Sequence, residues 1–213
     1  MCIRDRLNQN PNIYAGTLSP VFELMYYTDE ILHKEQAQSF PKPKIHQKIV
    51  TNILINYYSD ISEEVVIDKC RAWPAHIDII KKYVTNNPKL ICTVRHPLDI
   101  LASFITLIRK DGSYSFIDRA MTELKVPLND DNRCHFLMNP GGVVWESMNA
   151  LATAYRQKQS HHVHLIQYDD LISNPKLVMQ NLHGFLQLNS FQYDFNNVIQ
   201  KDRENDVEVY GVE

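Results

Sequence analysis

The chain has 213 residues, 44% hydrophobic and 22% charged, with a formal net charge of -3. That length is enough for one α/β domain with a real core. The charge supplies no global basic field for nucleic acid or an anionic membrane, so any anion site has to be local. No apolar run approaches the ~20 residues that a membrane span needs.

Residues 1–6, MCIRDR, carry no signal-peptide apolar region. Residues 7–10 read as the last turn of a helix stopped by Pro11. A helix is expected over 20–33, opened by Pro20, with apolar Phe22, Leu24, Met25, Ile31 and Leu32. Pro41 and Pro43 mark 36–44 as a loop. Ile45, Ile49, Ile53 and Tyr57 recur every four residues and predict a helix over 44–58. Residues 65–68 read as a short buried strand ending at Lys69. A helix follows over 74–86, with Ile77, Ile80 and Val84 on one face.

A second strand, 89–94, leads into a helix over 97–109. Helices over 115–124 and 143–158 flank an irregular stretch with Pro127, Pro140, Gly141 and Gly142. Residues 162–167 make a third strand, and Asn174-Pro175 opens a helix over 175–187. The tail beyond Asp194 is polar. Strands alternate with helices, and at least two strands are almost continuously apolar. The expected architecture is one α/β domain over 1–213: a parallel sheet with helices on both faces, in three layers.

Ligands of such sheets gather at the carboxyl ends of the strands. Lys69, Arg95 and Tyr168 all fall there. In TVRHPLDILASF, residues 93–104, a strand ends on Arg95, Pro97 opens a helix, and Ser103 lies within that helix. A guanidinium fork, a hydroxyl and a helix N-terminus together suit a phosphate-like anion.

Four segments then resemble one family, the sulfotransferases, which have a P-loop-like nucleotide-hydrolase fold. Arg95, Pro97, Asp99 and Ser103 fill the R-x-P-x-D-x-x-x-S pattern of its 3′-phosphate-binding segment. LIQYDDLISNPKLVMQNLHGFLQL (165–188), VVIDKCRAW (65–73) and LNQNPNI (7–13) are similar to further segments in the family's order. The resemblance implies transfer of a sulfuryl group from 3′-phosphoadenosine 5′-phosphosulfate (PAPS), as donor co-substrate, to a hydroxyl or amine, without a metal. It implies that Arg95, Ser103 and Tyr168 bind the nucleotide and that Lys69 faces the transferring group, offsetting charge on the bridging oxygen. Asp99 would cap the helix N–H groups.

The resemblance also implies a P-R-S-G-[ST]-like loop, after a strand near the sheet centre, that cradles the 5′-phosphosulfate through backbone N–H groups. None of the six glycines sits in such a loop: Gly16, Gly112, Gly184 and Gly211 are isolated, and Gly141-Gly142 has no strand before it. Residues 1–6 stand at the expected position and are expected to be a spurious leader. The fold is therefore expected to be incomplete at the N-terminus, with both ends truncated and the 213-residue chain marginally stable and inactive.

Glu23, His33 and His76 are candidate bases by location. Thr17 and Leu18 stand where some branches place an acidic base. Trp73 and Trp145 read as core or pocket-wall residues. His162 and His164 are expected on one strand face beside His161, as a solvated or partly buried cluster and not a metal site.

Cys2, Cys70, Cys92 and Cys134 match no zinc or redox spacing, which suits a reducing, cytoplasmic setting. The acceptor is open among carbohydrate, lipid, peptide and small metabolite, with 109–142 expected to set the choice. A P-loop-like phosphotransferase, a nucleotide-binding module without chemistry and an interaction module are the alternatives.

Overall fold

Strand β1 (Ile13–Leu18) pairs in parallel with β2 (Val65–Lys69), and β3 (Leu90–Val94) pairs in parallel with β4 (Val163–Gln167). These pairings come from a computed structural model that describes residues 3–111 and 115–200. Cys2, Gly112, Gly211 and the tail after residue 200 lie outside the described residues. Parallel partners need long crossovers. Between β1 and β2 run α2 (Val21–Leu32), α3 (Glu35–Gln38) and α4 (Pro43–Tyr57), with α1 (Ile3–Leu7) preceding β1. A 3-10 turn (Trp73–His76) and α5 (Ile77–Tyr83) join β2 to β3. Four helices fill the step from β3 to β4: α6 (Pro97–Asp111), α7 (Phe116–Glu123), α8 (Asp130–Met138) and α9 (Val143–Arg156). α10 (Tyr168–Ser173) and α11 (Pro175–Leu186) close the domain.

Helices cover both faces of the strands, as the sequence predicts. Successive side chains leave a strand on opposite sides. Thus Leu90 and Val163 join Val21, Met25, Val50, Trp73 and Ile77 in one core. Ile91 and Ile166 instead join Ile13, Ala15, Leu7, Met179 and Leu182 in another. The β3–β4 pair contributes to both cores and the β1–β2 pair to the second, yet no ladder joins β2 to β3: the strands form two pairs where a single sheet was expected. A third core, around Leu101, Ile117, Met121 and Leu137, is built from α6–α9 without strands.

Other details also depart from the sequence reading. β1 was not foreseen: its IYAGTL has only a short apolar alternation. The four-residue repeat on α4 does not mark the buried face. A step of four residues overshoots one turn, so the stripe rotates around the helix. Contact passes instead through Val50, Ile53 and Leu54, while Ile45, Ile49 and Tyr57 are exposed. On α5 the buried residues are Ile77, Ile79 and Tyr83; Val84 is exposed.

The stretch expected to be irregular contains α8, capped by Asn129, whose side chain accepts from the Asn132 N–H at 2.9 Å. The glycines after it make a tight turn into α9. Gly141 has φ of 91°, in the left-handed region. A Cβ on Gly142 would come within 2.3 Å of the Phe136 carbonyl oxygen and 2.4 Å of that of Leu137. Backbone cannot yield as a flexible side chain does. Gly142→Ala is therefore expected to lose about 3 kcal/mol of stability, at the upper end of overpacking costs. Urea denaturation measures it, and a loss within ordinary surface scatter would contradict the close approach.

Candidate active site

The register of the second strand pair builds the anion-binding end. Val94 lies opposite Gln167, so the next residues, Arg95 and Tyr168, emerge side by side. The Arg95 guanidinium carbon sits 4.7 Å from the centre of the Tyr168 ring, a cation–π contact. Arg95 and Ser103 line one open groove of about 480 Å³, together with Asp99, Ala102 and Thr106. Arg95 and Ser103 are both exposed there.

Asp99 does not cap α6. The His96 Nδ1 accepts from the Leu98 N–H at 3.3 Å, and an Asp99 carboxylate oxygen lies 3.9 Å from Arg95 Nε. One helical turn separates Arg95 from Asp99, which brings the pair together. Asp99 thus balances the guanidinium, and an incoming phosphate has to compete with it.

Lys69 ends β2, opposite Leu18 of β1, and is exposed. Its place corresponds to that of Arg95 on the other pair, but it does not line the Arg95 groove. Its neighbour Asp68 is a residue the sequence reading did not weigh. Asp68 accepts from Trp73 Nε1 at 2.6 Å and also from the Tyr58 and Ser19 hydroxyls. Burial first, then the Asp68 carboxylate, pushes the Tyr58 phenol upward, so Tyr58 remains a donor. The available signal was an acidic residue at a strand end with a tryptophan five positions on.

A second cavity, of about 610 Å³, opens beyond β1 and β2. Glu23 and His76 both line it; His33 does not, and instead stands at the exposed end of α2 within 3.3 Å of Asp29. Leu18 contributes to the same wall. Arg71, Phe116 and Phe136, not singled out by the sequence, also line it. Trp73 is core, packed edge-on against Phe22 at 5.2 Å, whereas Trp145 is exposed on the outer side of α9, contrary to expectation.

The histidines at β4 do not share a face. The 3-10 turn Ser160–His162 interrupts the two-residue alternation before the strand begins. His162 is buried against His161 at 4.0 Å, while His164 stacks on Phe185 of α11 at 5.0 Å. Among the described residues no group of three metal-ligating side chains comes together.

Burial lowers the pKa of His162, with the neighbouring charges of His161 and Lys81 adding to it; burial also lowers His76 and His164. A lowered native pKa means that the unfolded chain binds more protons below the free value of about 6.5. Stability is therefore expected to fall as pH drops below about 6.5, by up to ~1.4 kcal/mol per pH unit for each histidine. Urea unfolding at several pH values, repeated on His162→Phe, measures this. A flat profile, or a slope unchanged by the substitution, would contradict the assignment.

Among the described residues no helix is long and apolar enough to cross a membrane. The sequence profile of a family described as "Sulfotransferase domain" matches residues 22–207. Among curated proteins, nothing matches the chain. The solved "Crystal Structure of Sulfotransferase from Alicyclobacillus acidocaldarius" superposes with a TM-score of 0.54 at 12% identity, covering 92% of this chain and 80% of that one. The "Sulfotransferase Domain from the Curacin Biosynthetic Pathway" superposes with a TM-score of 0.46 at 16% identity, covering 87% of this chain and 61% of that one. The chain thus spans less than two thirds of the length of the curacin-pathway domain. At 12% identity the likeness to the Alicyclobacillus acidocaldarius structure is one of fold.

Proposed function

Since the chain belongs to the sulfotransferase domain family, we propose that it transfers a sulfuryl group from PAPS to a hydroxyl or amine acceptor. The observation that carries the donor assignment is the juxtaposition of Arg95, held against the Tyr168 ring, with Ser103 on one groove wall. A 3′-phosphate dianion there gains charge-assisted bonds from the guanidinium and a further donor from the hydroxyl. The start of α6 adds a favourable dipole. Tyr168 keeps the planar guanidinium oriented while Asp99 yields it to the phosphate.

Lys69, at the equivalent end of β2, is proposed to face the transferring group. Its ammonium would offset the charge that develops on the bridging oxygen as the sulfur–oxygen bond breaks. The 5′-phosphosulfate also needs backbone N–H donors. We propose that a further parallel strand with its loop, lying between β2 and β3, supplies them. The absence of a ladder between those strands is consistent with this.

Calorimetric titration tests the proposal. PAPS should bind a chain carrying such a strand more tightly than does adenosine 5′-phosphosulfate, which lacks the 3′-phosphate. Equal binding of the two would remove the donor assignment. Tight PAPS binding by the 213-residue chain alone would remove the need for the added strand.

A further inference from the structure

Phe40 is 80% exposed, the most exposed large apolar side chain among the described residues. It stands on the short connection from α3 to α4, where Pro41 and Pro43 restrict the backbone. Just beyond it, on the outer side of α4, Ile45 and Ile49 are 53% and 44% exposed. Four residues separate these two, so they lie one above the other on consecutive turns. Val50, Ile53 and Leu54 commit the other side of the helix to the core. A single exposed isoleucine is ordinary, but an aromatic ring and two isoleucines gathered at one helix end form a patch that calls for a partner.

The charge around the patch has one sign. Residues 34–48 hold four lysines, at positions 34, 42, 44 and 48, against Glu35 alone, in a chain whose net charge is -3. Lys44 and Lys48 each precede one of the isoleucines, about 100° round the helix. A basic edge therefore runs beside the apolar one. All four lysines are exposed, and none has an ion-pair partner among the described residues. Lysine stems lie along apolar surface while the ammonium reaches outward to an anion.

We propose that Phe40, Ile45 and Ile49 dock this protein on an anionic lipid surface, with the ring and the isoleucines entering the acyl boundary and the neighbouring lysines meeting the charged headgroups. Apolar side chains rimmed by lysines are the chemistry of a helix that lies in the headgroup layer. α4 has 15 residues, so it spans about 22 Å, short of the hydrocarbon thickness of about 30 Å, and its inner side belongs to the core. The contact is thus with one leaflet. An acidic protein would have to supply a pocket for the protruding ring, whereas fluid acyl chains close around it. None of these residues lines the Arg95 groove or the second cavity, so docking leaves both open and is independent of the sulfuryl-transfer reading.

Sedimentation of the 213-residue chain with lipid vesicles tests the inference. Vesicles of phosphatidylcholine with one-third phosphatidylserine are expected to bind it about tenfold more tightly than vesicles of phosphatidylcholine alone. Salt at about 1 M, which shortens the screening length to about 3 Å, should remove most of that preference. The double change Lys44→Gln and Lys48→Gln should weaken binding to the anionic vesicles about 25-fold, near fivefold for each lysine. Phe40→Ser should weaken it about tenfold through the lost apolar burial. These variants alter exposed side chains only, so their circular dichroism should match wild type, and the comparison of vesicles on wild type stands without them. Phe40→Trp should be quenched by bilayers with brominated acyl chains, beyond any quenching of Trp73 and Trp145 in wild type.

Equal binding to the two kinds of vesicle, or binding to neither, overturns the inference. So does anionic-vesicle binding unchanged by the double lysine change, or a Phe40→Trp fluorescence that brominated lipid leaves unquenched. Polyglutamate held as tightly as the anionic vesicles, with Phe40→Ser without effect, would assign the lysines to an acidic protein and overturn it as well.

Discussion

Arg95→Ala is expected to weaken PAPS binding about 100-fold in a chain able to bind it. The guanidinium offers a forked, charge-assisted contact to a phosphate, worth roughly 3 kcal/mol, and each 1.4 kcal/mol is tenfold in affinity. Removing Arg95 also leaves Asp99 unpaired in the groove, which repels the phosphate further. Arg95→Lys should recover only part of the loss. A lysine keeps the charge but cannot present two parallel donors or lie flat on the Tyr168 ring.

Adenosine 5′-phosphosulfate discriminates between mechanisms. Its affinity should hardly change in Arg95→Ala, because it has no 3′-phosphate to lose contact with. Unchanged PAPS affinity in Arg95→Ala would refute the central assignment. An equal loss for both nucleotides would instead mean that Arg95 supports the fold of the site and does not read the phosphate.

Asp68→Ala is expected to cost about 3 kcal/mol of folding stability in urea denaturation. Three donors converge on this carboxylate: the Trp73 indole, the Tyr58 phenol and the Ser19 hydroxyl. Bonds to a charged group contribute roughly 1.5–3 kcal/mol each, and donors left without an acceptor carry a desolvation cost. The neighbourhood is half-buried, so water recovers part of that loss. Tyr58→Phe removes one donor and should cost only about 1 kcal/mol.

The same carboxylate couples the ends of β1 and β2. Ser19 donates to Asp68 through its hydroxyl and to the Lys69 carbonyl through its N–H at 3.3 Å. Asp68 is thus a positioning residue for Lys69 and for the wall that carries His76. Should Asp68→Ala lose less than Tyr58→Phe, the convergence of donors would have no energetic weight.

Much of the fold was legible locally. Pro97 after a β-branched run marks the start of α6, and Asn174-Pro175 marks the start of α11, because a fixed φ and a capping side chain act within a few residues. Helix starts and strand ends follow from such short-range effects. The ends of β2, β3 and β4 fell where the sequence placed Lys69, Arg95 and Tyr168. β1 and α8 escaped for the opposite reason. IYAGTL and DDNRCHFLM have little periodic contrast; β1 is held by its pairing with the distant β2, and α8 by its packing against α6, α7 and α9.

By itself, then, the sequence determined a parallel α/β chain of the sulfotransferase family and the strand-to-helix segment that carries Arg95 and Ser103, since strand period, proline position and motif spacing are local properties. Only the tertiary structure decided which of these residues meet. The register of β3 against β4 set the Tyr168 ring against Arg95. The folding of α7–α9 against the end of β2 brought Phe116 and Phe136 to the cavity that His76 lines, and left His33 outside it. Contacts between residues tens of positions apart depend on register and packing across the whole chain, and no local pattern encodes them.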